Sequence, residues 1–226
     1  RSYRAVAPAA TYLPCPAVGI GPTRQWIMEH ARAAGLEAVV MLDDDITFAK
    51  RRLDDLTKFE NMTSPDYAAL FAQLASALAT HAHVGVLARE GGNRITEHAV
   101  YNTRMLRVLC YRVPEFFKAG ASFTRLHFME DFDVTLQLLR AGLPNMVLCD
   151  YVSNQGGSNA AGGCSTYRTL EGQAQAAHGL KALHGDFVKV VQKTTKTAWN
   201  GATRTDVVIG WKKAAVAGGI VLGARA

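Results

Sequence analysis

The sequence predicts an α/β protein built on a mixed, mainly parallel sheet with helices on both faces. Three observations carry that prediction. Short apolar runs without polar alternation, Ala38-Val39-Val40-Met41-Leu42 and Val84-Gly85-Val86-Leu87-Ala88, read as strands buried on both faces. Between them lie stretches with apolar residues at helical spacing, of which Tyr67, Leu70, Phe71, Leu74 and Leu78 form the clearest. A chain of 226 residues suits one large α/β domain, whose core needs no help from disulfides.

Taken in order, residues 4–8 predict a first strand, followed by a loop whose Pro14 and Pro16 forbid helix and central strand alike. Gly19-Ile20-Gly21-Pro22-Thr23 opens a helix to about Ala34, with Thr23 as its cap and Gly35 as its stop. The strand 38–42 then runs straight into Asp43-Asp44-Asp45. Ser64-Pro65-Asp66 starts the next helix, with cap, proline and acid each in a favoured place. Strands at 84–88 and 105–111 flank a polar loop, 89–104, whose composition suits contact with an acceptor. Met129-Glu130-Asp131-Phe132-Asp133 opens a helix with the apolar face Phe128, Phe132, Leu136 and Leu139, closed by Gly142 and Pro144. A strand at 146–151 leads into a Gly-rich segment, 154–164. Two further strands, 187–191 and 206–211, are joined through Asn200-Gly201.

Composition narrows the function. Cys15, Cys110, Cys149 and Cys164 are scattered without metal-ligand spacing, which predicts reduced packing thiols in a cytoplasmic protein. The N-terminus lacks the pattern of a signal peptide, and the apolar tail 214–226 is too short and too Gly-rich to span a bilayer, so no membrane partner is expected. The net charge of +6 resides entirely in the tail: from Lys181 onward there are eight Lys or Arg against Asp186 and Asp206. Phe187, Trp199 and Trp211 interleave with those charges, a pattern suited to a nucleic-acid backbone and an extruded base as well as to a solvated basic face.

The chemistry is signalled by acids at a strand's carboxyl end, the edge where open α/β sheets bind ligands. Clustered carboxylates repel unless a hard cation or a donor-rich ligand lies between them. Asp43 and Asp45 are therefore expected to hold Mn²⁺ or Mg²⁺ against a phosphate, although an acidic turn after a strand has the same pattern. Arg24 and the Gly-rich turn before it would offer a guanidinium and free N–H groups to phosphate oxygens. Glu130 and Asp131 satisfy a helix dipole without any chemistry; placed at the same sheet edge, they supply a general base opposite the metal. Gly156 and Gly157 allow backbone N–H groups to approach a pyrophosphate, and Arg168 would offset its charge.

The order strand, helix, strand ending in D-x-D, then E-D at a helix start resembles the GT-A class of nucleotide-sugar glycosyltransferases over about residues 4–151. More narrowly, Met41-Leu42-Asp43-Asp44-Asp45-Ile46-Thr47, Met129-Glu130-Asp131-Phe132-Asp133 and Asn154-Gln155-Gly156-Gly157-Ser158-Asn159 resemble the phage glycosyltransferases associated with TET/JBP-type hydroxylases. The resemblance implies a GT-A-like, Rossmann-like fold and a single domain, 1–226, in which 1–151 is the nucleotide-sugar and metal-binding core. Residues 152–226 then form a Gly-rich loop and a basic acceptor-side region. It implies a metal-dependent hexosyltransferase moving a sugar from a UDP-sugar, UDP-glucose in the first instance, to a hydroxymethyl-pyrimidine such as 5-hydroxymethylcytosine in DNA. Asp45 would ligate the metal, Asp43 would face the sugar or ribose and the metal's water shell, and Asp44 would lie beside the nucleotide. Asp131 would be the base, with Glu130 beside it. A third metal ligand is expected from the C-terminal part, with Asn154, Asn159, His178 and His184 as candidates. If the chain is viral, its compartment is the host cytoplasm.

Other readings compete. Asp43-x-Asp45-x-Thr47 also resembles the nucleophile motif of haloacid-dehalogenase-type phosphatases, where the first Asp attacks phosphorus. There, however, the motif lies near the N-terminus, whereas here a strand and a helix precede it. A GT-A enzyme acting on a small molecule or protein, and a DNA-binding module on an inactive transferase scaffold, are the remaining alternatives; the last has no use for Asp43, Asp45 and Asp131 together.

Overall fold

The computed structural model describes residues 3–155, 169–194 and 201–222. Residues 3–6 form a single helical turn, α1 (Tyr3–Val6), in place of the predicted first strand. The run is too short to hold an extended conformation without a neighbouring strand. Helix α2 (Ile20–Ala33) is capped by Gly19, whose φ of 94° only glycine adopts freely, so Thr23 lies inside the first turn instead of capping it. Gly21 is required for a second reason: a Cβ there would meet the Phe123 carbonyl oxygen at 2.6 Å. That close approach seats the start of α2 against the segment preceding α5 (Glu130–Arg140).

Strand β1 (Ala38–Leu42) leads to β2 (Ile46–Arg51) and β3 (Phe59–Asn61), and then to α3 (Ser64–Leu78). The capping box of α3 is shifted one residue from expectation, because Thr63 is the cap and its N–H donates to Asp66 Oδ2 at 2.7 Å. The chain continues through β4 (His83–Ala88), β5 (Ala99–Tyr101), β6 (Val108–Arg112), α4 (Val113–Lys118), α5 and β7 (Asn145–Gln155). Beyond the Gly-rich segment come α6 (Leu170–His184), the hairpin strands β8 (Val188–Thr194) and β9 (Thr203–Ile209), and α7 (Trp211–Ala217).

Seven strands form one sheet in the order β1-β6-β4-β7-β2-β3, with β5 also on β7; β8 and β9 form a separate pair. The α/β class holds, but the sheet is not mainly parallel: only β4 and β7 pair parallel, and every other pairing is antiparallel. An apolar run carries no information about the direction of a strand's neighbours, which explains the difference. Alternate β6 residues serve opposite faces. Leu109 and Tyr111 join Met28, Phe116, Val134 and Leu138 under α2, α4 and α5, whereas Val108 and Cys110 join Leu70, Leu74, Val84 and Leu148 under α3. Helices thus cover both faces.

Strand β1 departs from its predicted place. It is an edge strand, paired only with β6, and its Val40 and Leu42 side chains are 37% and 43% exposed. Val39 and Met41 pack beneath α2, but α3 covers β4, β6 and β7 and leaves the other side of β1 open. A second irregularity matters more for the site. Pairing between β4 and β7 slips between Val86 and Leu87, so residues 149–151 of β7 bulge out. The freed backbone is satisfied, since Cys149 N–H donates to the His98 carbonyl and Arg51 donates twice to the Cys149 carbonyl. Past the bulge β7 pairs with β2, which brings Gln155 opposite Ile46 and beside Asp45.

Burial pushes the Cys110 thiol up to about 12 and Cys149 to about 11, in keeping with packing roles, while Cys15 is exposed. Among the described residues no helix is long and apolar enough to cross a membrane.

Candidate active site

The strands β1, β4 and β7 point the same way, so the acids after β1 and the end of β7 share one sheet edge. The start of α5 reaches that edge through Arg24. This side chain is buried in the first turn of α2; its Nη1 donates to Glu130 Oε1 at 2.6 Å and its Nη2 to Asp43 Oδ1 at 3.0 Å. Burial works against the charge of Arg24, but Glu130, Asp131 and Asp43 outweigh it and hold the guanidinium protonated. Arg24, expected to meet phosphate oxygens, forms a strut between two carboxylates.

Asp43 responds in the opposite direction. Burial lifts its carboxyl above the ordinary range, against the pull of Arg24, and the negative charges of Asp45 and Asp131 add to the lift. Asp45 follows the same strand, and Asp131 lies beside Glu130 at the start of α5, on the far side of the Arg24 bridge. Asp131 is half-buried in the first turn of α5, where its Oδ1 accepts from the Phe132 N–H at 2.9 Å. Met129, just before, adopts φ 62°, a left-handed conformation that costs a non-glycine residue energy and that sets the direction from which Glu130 and Asp131 enter. Arg104 lies over the Phe132 ring at 4.3 Å, where the carboxylates of Asp131 and Asp206 act on it.

Asp45 is held by a relay that the sequence does not disclose. Gln155 Nε2 donates to both of its oxygens, at 2.7 and 2.9 Å, and Gln155 Oε1 accepts from Arg107 Nε at 3.1 Å. A guanidinium has only donors and an ionised carboxylate only acceptors, so the amide has one possible orientation. Arg107 is in turn fixed by Glu90, at 2.6 and 3.0 Å, and by the Ser153 carbonyl at 3.2 Å, and its own backbone has φ 60°. Glu90 and Arg107 are visible as polar residues in and after the loop at 89–104. Nothing in the sequence connects them to Gln155 or to Asp45.

The other predicted site residues are dispersed. Asp44 is exposed, and Asn154 is exposed opposite Thr47 on β7. His184 belongs to a different cluster: its Nε2 lies 2.6 Å from Asp133 Oδ1, to which Arg125 is also paired, and Arg140 donates to its Nδ1. That cluster ties α6 to α5 and leaves His184 away from Asp45. His178 is exposed on α6. Gly156, Gly157, Asn159, Arg168 and Trp199 lie outside the described residues. The tail's aromatics are structural where described: Phe187 and Trp211 pack against the core of α5, α6 and β9, with Trp211 edge-on to Phe132 at 5.7 Å. Lys193 and Arg204 both pair with Asp206, so part of the basic excess is internally neutralised.

Among the described residues no group of three or more His, Cys, Asp or Glu is assembled to hold a metal. The donor set nevertheless fits Mg²⁺ or Mn²⁺ bound with its substrate. Such an ion uses one or two carboxylates and completes its shell with phosphate oxygens and water. Crowding among Asp43, Asp45 and Asp131 is the repulsion that a cation relieves.

Carboxylates after a strand and a half-buried acid at a helix start are side-chain types that transferases use. Residues 1–163 match the family model described as TET-Associated Glycosyltransferase, and the chain belongs to that family; it is a glycosyltransferase. Comparisons with curated proteins and with solved structures give no match.

Proposed function

We propose that the protein transfers a hexose from a UDP-sugar, UDP-glucose in the first instance, to the hydroxymethyl group of a pyrimidine in DNA, with 5-hydroxymethylcytosine as the foremost acceptor. The reading is supported by membership of the TET-associated family and carried by one observation. Arg24 joins the two halves of the site, Asp43 after β1 and Glu130 at the start of α5, in a single buried bridge. Asp45 and Asp43 would hold Mn²⁺ or Mg²⁺, which when bound would offset the charge of the donor's diphosphate.

The remaining work falls to the protein. Asp131, half-buried and fixed by the Phe132 N–H, accepts the proton of the acceptor hydroxyl as that oxygen attacks the anomeric carbon and the bond from that carbon to the phosphate oxygen breaks, releasing the nucleoside diphosphate. Glu130 is engaged by Arg24 and cannot serve as the base; it holds the start of α5 at the sheet edge. Gln155 orients Asp45, and Arg107 orients Gln155. Asp133, fully buried beside His184, is closed to an acceptor hydroxyl.

The test is incubation with a panel of nucleotide sugars and duplex containing 5-hydroxymethylcytosine or 5-hydroxymethyluracil, read by nucleoside mass spectrometry. A glycosylated nucleoside with stoichiometric release of nucleoside diphosphate is the expected result. Release of inorganic phosphate would favour the phosphatase reading, and sugar transfer only to small molecules or protein would replace the acceptor.

A further inference from the structure

At the end of β2 remote from Asp45, between the β2–β3 turn and the segment after β4, lies a cavity of about 410 Å³ lined by Arg52, Thr57, Lys58, Phe59, Arg89 and Asn93. Its charge is not balanced. Arg52 and Lys58 meet Asp54 and Asp55 in solvent-exposed pairs, which a stronger anion displaces readily. Among the described residues, however, no carboxylate pairs with Arg89, whose guanidinium lies 4.8 Å over the Phe59 ring. Arg51 lies over the same ring at 4.5 Å; it is buried and, among the described residues, donates to the carbonyls of Cys149, Leu56 and Gly92. The bulge in β7 accounts for Arg51, since its guanidinium satisfies carbonyls that the broken ladder leaves free. It also leaves an uncompensated positive charge beneath the cavity.

No structural need accounts for Arg89. It is exposed, held flat by an aromatic ring, and placed where its N–H groups are available to a planar set of acceptors. The Phe59 ring is already engaged by two guanidinium groups, so the cavity offers little stacking surface to a base; its recognition chemistry is that of a phosphate. Its position is linked to the catalytic edge. The Arg89 N–H donates to the Ser153 carbonyl at 2.9 Å, and the next residue, Glu90, begins the relay through Arg107 and Gln155 to Asp45.

We propose that this cavity is a phosphodiester-binding subsite for the acceptor strand, with Arg89 and Lys58 as its principal cations. The inference rests on the reading that the acceptor is DNA. It moves the main phosphate contact away from the basic tail, where Lys193 and Arg204 pair with Asp206, to the β2–β3 side of the sheet.

The experiment is fluorescence anisotropy of a labelled duplex containing 5-hydroxymethylcytosine at several salt concentrations. It compares wild type, an Arg89→Gln/Lys58→Gln variant, an Arg89→Lys variant and a Lys189→Gln/Lys212→Gln tail variant. The cavity variant should bind more weakly, with a log–log salt slope shallower by about 0.9 for each phosphate that is no longer neutralised. Arg89→Lys, which keeps the charge, should retain most of the slope. Calorimetric affinity for UDP and the melting temperature should be unchanged in all variants, because the four substituted side chains are exposed and outside the carboxylate edge. Wild-type binding with an unaltered slope in the cavity variant, or flattening by the tail variant alone, overturns the subsite and leaves the DNA acceptor standing. Wild type that binds no DNA at any salt while still turning over a nucleotide sugar overturns both.

Discussion

Replacing Arg24 by Met tests the bridge that assembles the site. The side chain keeps its length and loses its charge, which removes the Arg24 bond from Glu130, whose side chain is 7% exposed, and from Asp43. Removing one member of a buried ion pair costs about 3–5 kcal/mol, because the stranded charge stays desolvated. Asp43 retains some access to water, so the lower end of that range applies. For a chain of 226 residues each kcal/mol shifts the melting temperature by about 2–4 °C, so the variant should melt roughly 6–12 °C below wild type.

The pH dependence has a definite sign. The carboxyl of Asp43 is raised in the folded state, so its contribution is fully present below the ordinary value of 3.8 and is lost as pH rises through the raised value. Loss of Arg24, whose charge pulls the Asp43 carboxyl down, raises it further; the deficit of Arg24→Met should therefore be smaller at pH 5 than at pH 8. Scanning calorimetry at both values measures it. In a double-mutant cycle, Glu130→Gln should cost far less in the Arg24→Met background than in wild type. Additive effects, or a deficit that grows on acidification, would show that the Arg24 bridge does not carry the energy assigned to it.

The site itself sets three further outcomes. Asp45→Ala should abolish cation-dependent binding of UDP in calorimetry, and equal wild-type affinity in EDTA would remove the metal role. Asp131→Asn should leave that affinity intact and slow sugar transfer by about 10²- to 10⁴-fold; near-normal turnover would mean that the reaction needs no base at this position. Gln155→Ala and Arg107→Met, acting on Asp45 through one relay, should each weaken Mn²⁺ binding by about 10- to 100-fold, and their effects should not add; additive losses would separate the two side chains.

Much of the fold is legible in the sequence because its signals are local. The helices at 64–78 and 130–140 are written in their apolar spacing, and Glu130-Asp131 at the start of the second is visible without coordinates. The strand at 38–42 is legible to the residue, yet its environment is not, since an apolar run is equally compatible with a central strand and with an edge strand covered on one face. The tail shows the same limit. Its strands are visible in the sequence, but whether Phe187 and Trp211 face a ligand or a core depends on α6 and α5 packing against them, and neither partner is encoded in the hairpin itself. The helix at 211–217 escapes the sequence pattern because Trp211 reads as the end of the preceding strand.

By itself the sequence determined the chemical types and the short-range order: acids closing a strand, acids opening a helix, and a family pattern linking them. Tertiary structure alone decided which side chains hold those acids. Arg24 finds Glu130 across a separation of 106 residues, and Gln155 finds Asp45 across 110. Periodicity and capping act over a few residues, whereas these partners meet only because Gly21 admits a close helix approach and a bulge turns β7 toward β2. The orientation of Asp45 and the burial of Arg24 are therefore properties of the assembled sheet.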